Sequence, residues 1–213
     1  MAESQFQLES SSRLYHVYKT SFQRHYDIKS DDQPLCHGEV SLFTPNKPDL
    51  ILHAGANNQA PVVAVCKFLK LSGSYKLGLG DPDDLHNVQW EDMTRENTLG
   101  SKYRFEMTLP SLGDGPGERR SFWWKRTRTV AVDGAAPPKW WSDRNYKLVD
   151  EQTEQVLAVF TSERTYHKCG KIQVMVEYGK NFDTMIFISC LTMYEKDKRR
   201  DNRGAGSGGG GGG

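Results

Sequence analysis

Apolar and polar side chains alternate along most of this chain. Leu14, His16 and Tyr18 take turns with Tyr15, Val17 and Lys19, and Tyr103, Phe105, Met107 and Leu109 fall on one face of the run 102–109. A period of two places successive side chains on opposite faces of a strand. The same pattern predicts strands at 13–19, 25–29, 38–43, 50–54, 62–69, 74–79, 102–109, 121–132, 146–150, 155–160 and 171–177. β-Branched Val62, Val63 and Val65 stiffen one of them. Turn chemistry separates the runs: Ser30-Asp31-Asp32-Gln33-Pro34, Pro45 and Pro48, Gly55 to Pro61, Gly113 to Gly117, and Ala135 to Pro138. Asp81 to Asp92 reads as an acidic loop. About ten to twelve short strands in one large β domain are expected.

The period changes near the end. Met185, Ile186, Phe187, Ile188, Cys190, Leu191, Met193 and Tyr194 surround every face of a helix over 182–200, with Asp183 at its start and Lys196, Lys198, Arg199 and Arg200 at its end. A helix apolar on all sides must be buried on all sides. Its length of roughly 25 Å suits the axis of a closed barrel. A buried central strand over 184–192 is the competing reading, because a short apolar run fits either element. Residues 1–12 and the Gly-rich 201–213 are expected as flexible ends outside a domain of 13–200.

Composition narrows the function classes. Lysine plus arginine number 28 and aspartate plus glutamate 27, so no global field draws the protein to nucleic acid, and none is expected as a partner. Cys36, Cys66, Cys169 and Cys190 are far apart, the start is polar, and no asparagine sits in a glycosylation sequon. These features point to a cytoplasmic protein with reduced thiols. No apolar run reaches the ~18 residues a membrane span needs, so membrane association would be peripheral.

Many strands followed by one hydrophobic helix is an order that resembles the tubby C-terminal-like superfamily. So do Phe122-Trp123-Trp124-Lys125-Arg126-Thr127, Tyr146-Lys147-Leu148-Val149-Asp150, Val156-Leu157-Ala158-Val159-Phe160, Lys168-Cys169-Gly170-Lys171-Ile172 and Glu195-Lys196-Asp197-Lys198-Arg199-Arg200, which are similar to small single-domain fungal members. The resemblance implies a closed antiparallel β-barrel of about twelve strands wrapping a central helix. It also implies relatedness to phosphoinositide-binding tubby-like proteins, phospholipid scramblases and LURP-one-related proteins. The chain lacks the scramblases' proline-rich arm and acylated cysteine cluster.

The most suggestive chemistry lies in Arg119 to Arg128. Arg120, Arg126 and Arg128 share one strand face with Phe122 and Trp124, while Lys125 shares the other with Trp123. Cations among aromatics can grip a phosphorylated headgroup, although the same pattern also describes core aromatics with arginines reaching water. Trp140 and Trp141 form a second aromatic pair, in a loop, that could meet a membrane or a protein partner. Cys36-His37 and His167-x-Cys169 lack structural-zinc spacing, and Asp81-Pro82-Asp83-Asp84 departs from a calcium loop at Leu85 and His86, so no metal or other cofactor is expected. No nucleophile elbow, P-loop or H-E-x-x-H occurs. The expectation is a non-enzymatic module for anionic phospholipid or phosphoinositide headgroups, with Arg120, Lys125, Arg126 and Arg128 as contacts. The alternative is a protein-interaction or stress-response module.

Overall fold

The computed structural model describes residues 12–20, 25–41, 47–69, 72–84, 87–97, 101–111, 115–134, 144–163, 165 and 167–206. Twelve strands and one helix follow in order: β1 (Arg13–Lys19), β2 (His25–Ser30), β3 (Gln33–Val40), β4 (Leu50–His53), β5 (Val62–Phe68), β6 (Tyr75–Leu79), β7 (Gln89–Arg95), β8 (Lys102–Leu109), β9 (Glu118–Arg126), β10 (Tyr146–Asp150), β11 (Val156–Ser162), β12 (Lys168–Val174) and α1 (Lys180–Gly206). Each strand pairs antiparallel with its sequence neighbours, and β1 pairs with β12 to close the barrel. Closure leaves no free edge strand, although β7 and β8 pair only at Thr94–Arg104 and Arg95–Tyr103.

Alternation decides what faces inward. Tyr15 and Val17 on β1, Tyr103, Phe105, Met107 and Leu109 on β8, and Phe122 and Trp124 on β9 are buried, while the residues between them are partly or fully exposed. The core is completed by Phe182, Met185, Ile186, Ile188, Cys190, Leu191 and Met193 of α1. The segment is a helix throughout, which excludes the central-strand alternative. Its buried hydroxyls cap the helix's own carbonyls, Ser189 Oγ donating to Met185 O at 2.6 Å and Thr192 Oγ1 to Ile188 O at 2.7 Å.

Several boundaries differ from those the pattern predicts. β7 lies partly inside the expected acidic loop, because Glu91 is one of its inward residues and is neutralised there by Arg119 at 2.6 Å, a tertiary contact no local pattern encodes. The β2–β3 turn is only Asp31 and Asp32, both at positive φ (46° and 62°), the backbone a tight two-residue hairpin requires. β9 begins at Glu118 and stops at Arg126, so Arg128 stands beyond its end. The helix also continues past Arg200 to Gly206, so the segment expected as a tail starts as helix.

The helix defines two mouths. It enters where β1 begins, Arg13 pairing with Asp183, and leaves where β9 ends, Arg126 Nη2 lying 3.2 Å from Asp197 Oδ1.

Candidate anion-binding site

Strand β9 sets the geometry of the basic-aromatic stretch. Phe122 and Trp124 point into the core, so Arg120 and Arg126, in the same phase, reach the two mouths and part company. Arg120 pairs with Asp150, which is 1% exposed, and its Nη1 donates to Tyr178 Oη at 3.4 Å. Burial opposes ionisation of Asp150, but the Thr153 and Gln152 amides at 2.9 Å and the Arg120 charge outweigh it and hold its pKa below the usual carboxylate range. At the other mouth Arg126 shares Asp197 with Arg200 and with the Tyr146 hydroxyl, which donates to it. Both arginines are tied into inward-facing ion pairs.

The opposite phase of β9 carries Trp123 and Lys125 on the outer surface. Lys125 stands directly across from Lys102 on β8 and from Lys147 on β10. Three lysines therefore form one row across three adjacent strands, and none makes a side-chain hydrogen bond or ion pair among the described residues. Neighbouring strands lie about 4.8 Å apart, so the three side chains spring from a line roughly 10 Å long. The Lys102 ammonium sits 3.6 Å from the centroid of the Trp123 ring. Arg104, next along the face, is already engaged by Glu106 at 2.7 Å and Glu151 at 3.1 Å. Like charges placed opposite one another destabilise a sheet, and an anion laid across the row would reverse the sign of that interaction.

The long-range field favours the same end of the barrel. Connections at the mouth where the helix enters carry Asp31, Asp32, Asp81, Asp83, Asp84, Glu151, Glu154 and Glu177, with Arg13, Arg120 and Lys180 beside them at the ends of β1, β9 and α1. Around the exit mouth stand Arg95, Arg126, Arg144, Lys196, Lys198, Arg199 and Arg200, with Asp49, Glu195, Asp197 and Asp201 as partners. Burial and the nearby Arg95 charge bring the Lys196 pKa down to about 8. The net charge of +1 thus conceals a polarised molecule. Its polarity matches the helix macrodipole, acidic groups at the N-terminus and basic groups at the C-terminus. The lysine row lies toward the basic mouth, since Lys102 opens β8 and Lys147 is second in β10.

Of the residues singled out from sequence, Lys125 lies in this row, Arg128 is exposed just beyond β9, and Arg120 sits at the far mouth. Trp140 and Trp141 lie outside the described residues. Lys102 and Lys147 were not legible as partners, because only strand register brings them beside Lys125. Cys36 points into the core and His37 outward, so adjacent as they are, they cannot share an ion. All four cysteines are buried thiols, and burial pushes Cys36 and Cys169 up to about 11.

No protein-family model and no curated protein matches the sequence. Among solved structures, the X-ray structure of a protein from Arabidopsis thaliana is similar at 12% identity and a TM-score of 0.48, over 89% of this chain and 93% of that one.

Proposed function

We propose that this protein is a non-enzymatic module of the cytosolic membrane surface that binds phospholipid headgroups, phosphoinositides first, and that it belongs to the tubby C-terminal-like superfamily. The observation that carries the reading is the row Lys102, Lys125 and Lys147, without acidic partners among the described residues and flanked by an indole. Several ammonium groups on a short line suit a headgroup with more than one phosphate, and Trp123 suits the bilayer interface. The basic mouth adds attraction to an anionic leaflet, about 1 kcal/mol per cation near the surface. No helix among the described residues is long and apolar enough to cross a membrane, so helix insertion is not part of this reading. The superfamily assignment rests on a closed twelve-stranded barrel around one C-terminal helix together with the sequence phrases of β9 to α1.

The test is co-sedimentation with vesicles of phosphatidylcholine alone, with phosphatidylserine, and with a phosphoinositide. Binding to anionic vesicles that falls with ionic strength and is lost when Lys102, Lys125 and Lys147 become alanine supports the proposal. Absence of binding to every vesicle sinks it and turns attention to a protein partner.

A further inference from the structure

On the outer face of β2, β3 and β4, well away from the lysine row, the barrel gathers imidazoles. His25 lies opposite Glu39, Asp27 opposite His37, and His37 opposite His53. The side chains follow the register. The His25 and His37 rings stack with centroids 5.2 Å apart, and those of His37 and His53 are 6.3 Å apart. One nitrogen from each of His25 and His37 and one oxygen of Glu39 all lie within 4.8 Å of one another. From the third strand, His53 Nε2 lies 3.8 Å from Glu39 Oε2.

Two of these rings are held the way metal-binding histidines are held. His37 Nδ1 is 2.7 Å from the Asp27 carboxylate, and His53 Nδ1 is 2.9 Å from the Ala60 carbonyl oxygen. An acceptor on Nδ1 takes that nitrogen's proton and leaves the lone pair on Nε2, which is how an outer partner fixes both tautomer and ring direction in a metal site. His53 Nε2 is then an acceptor with nothing to accept: its side chain is 7% exposed, and the atom is buried without a hydrogen-bond partner. His25 Nδ1 is buried and unpartnered as well. Buried polar atoms left unsatisfied are rare, and His53 Nε2, unpartnered and 3.8 Å from the Glu39 carboxylate, is one that a bound cation would satisfy.

We infer that β2, β3 and β4 carry a site for a divalent transition metal of zinc's type, with His25, His37 and Glu39 as three ligands and His53 Nε2 as the fourth. Nitrogen and carboxylate donors of borderline softness select zinc, cobalt, nickel or copper over magnesium and calcium. At metal–ligand distances near 2.0–2.1 Å, tetrahedral ligand atoms stand about 3.3 Å apart, so the trio has to draw together by about 1.5 Å at most, while His53, 3.8 Å from Glu39 but outside the group that lies within 4.8 Å, has to swing further to join it. Four protein ligands from three strands make a closed site that staples those strands together and leaves no position for a substrate.

The experiment uses the tag-free full chain, stripped with a chelator and titrated with Co²⁺ under visible absorption. Zinc affinity is then read by competition with a chromogenic chelator. The expected result is one tetrahedral Co²⁺ spectrum at one equivalent, displaced by zinc, with a melting temperature raised by about 5–10 °C at zinc a hundredfold above Kd. His37→Ala and His53→Ala should lose the spectrum, and Asp27→Asn should weaken zinc about ten- to a hundredfold. His16→Ala, outward on β1 and outside the cluster, should change nothing. Wild-type protein that shows no one-equivalent tetrahedral spectrum overturns the inference. So does retention of that spectrum by folded His37→Ala and His53→Ala variants.

Discussion

Trp124 Nε1 donates a hydrogen bond to Ser189 Oγ at 2.9 Å, joining β9 to the middle of the central helix where both residues are fully buried. Ser189→Ala removes the acceptor and leaves a buried indole N–H unsatisfied. The expected cost is about 1–3 kcal/mol, read as a lower urea midpoint with an unchanged slope.

Ile186 and Ile188 are fully enclosed by the barrel. A carboxylate at either position has no partner and no route to water, so Ile188→Asp should give no soluble, cooperatively unfolding protein. A stable Ile188→Asp variant would contradict a central helix.

The lysine row makes a two-sided prediction. Changing Lys102, Lys125 and Lys147 together to alanine should weaken binding to phosphoinositide vesicles by about a hundredfold, at about 1 kcal/mol per cation. It should also leave the melting temperature the same or higher, because a column of like charges is relieved. A surface needed for folding would instead lose both together.

Arg120 is expected to act on stability rather than on ligands. The Asp150 pKa is depressed, so its contribution is present above the unfolded value near 3.9 and is lost as pH falls through the lower folded value. Arg120→Ala strands a buried charge and should cost about 3 kcal/mol near neutral pH. Urea titrations at pH 7 and pH 2.5 should show the gap between variant and wild type narrowing in acid as Asp150 takes up a proton.

The buried thiols make an alkaline prediction. Cys36 and Cys169 are pushed by burial from an ordinary value of 9.0 to about 11, so the unfolded chain releases these protons first. Their contribution is intact below pH 9 and falls as pH rises from 9 through 11. The same burial should keep all four cysteines unreactive toward a thiol reagent until the protein is unfolded, measured as release of chromophore with and without urea.

What the sequence alone determined was local. Alternation at Tyr103, Phe105, Met107 and Leu109 set which face of β8 is buried, and the run from Met185 to Tyr194, apolar on every side, set a helix that must lie inside something. Such patterns are legible because each residue's environment follows from its own periodicity. β7 escaped for the converse reason: one of its inward residues is Glu91, acceptable in a buried position only because Arg119 arrives from β9.

The candidate sites belong to the other category. Lys102, Lys125 and Lys147 come from three strands, as do the ligands of the proposed metal site, and spacing along the chain carries no trace of either group. Register alone decides them, since a shift of one residue would turn Lys125 into the core and bring Trp124 to the surface. Tertiary structure likewise split Arg120 from Arg126, which share a strand face but end in ion pairs at opposite mouths, Asp150 at one and Asp197 at the other. Burial is set by a residue's own chain, whereas a binding site is set by which distant strands closure of the barrel makes into neighbours.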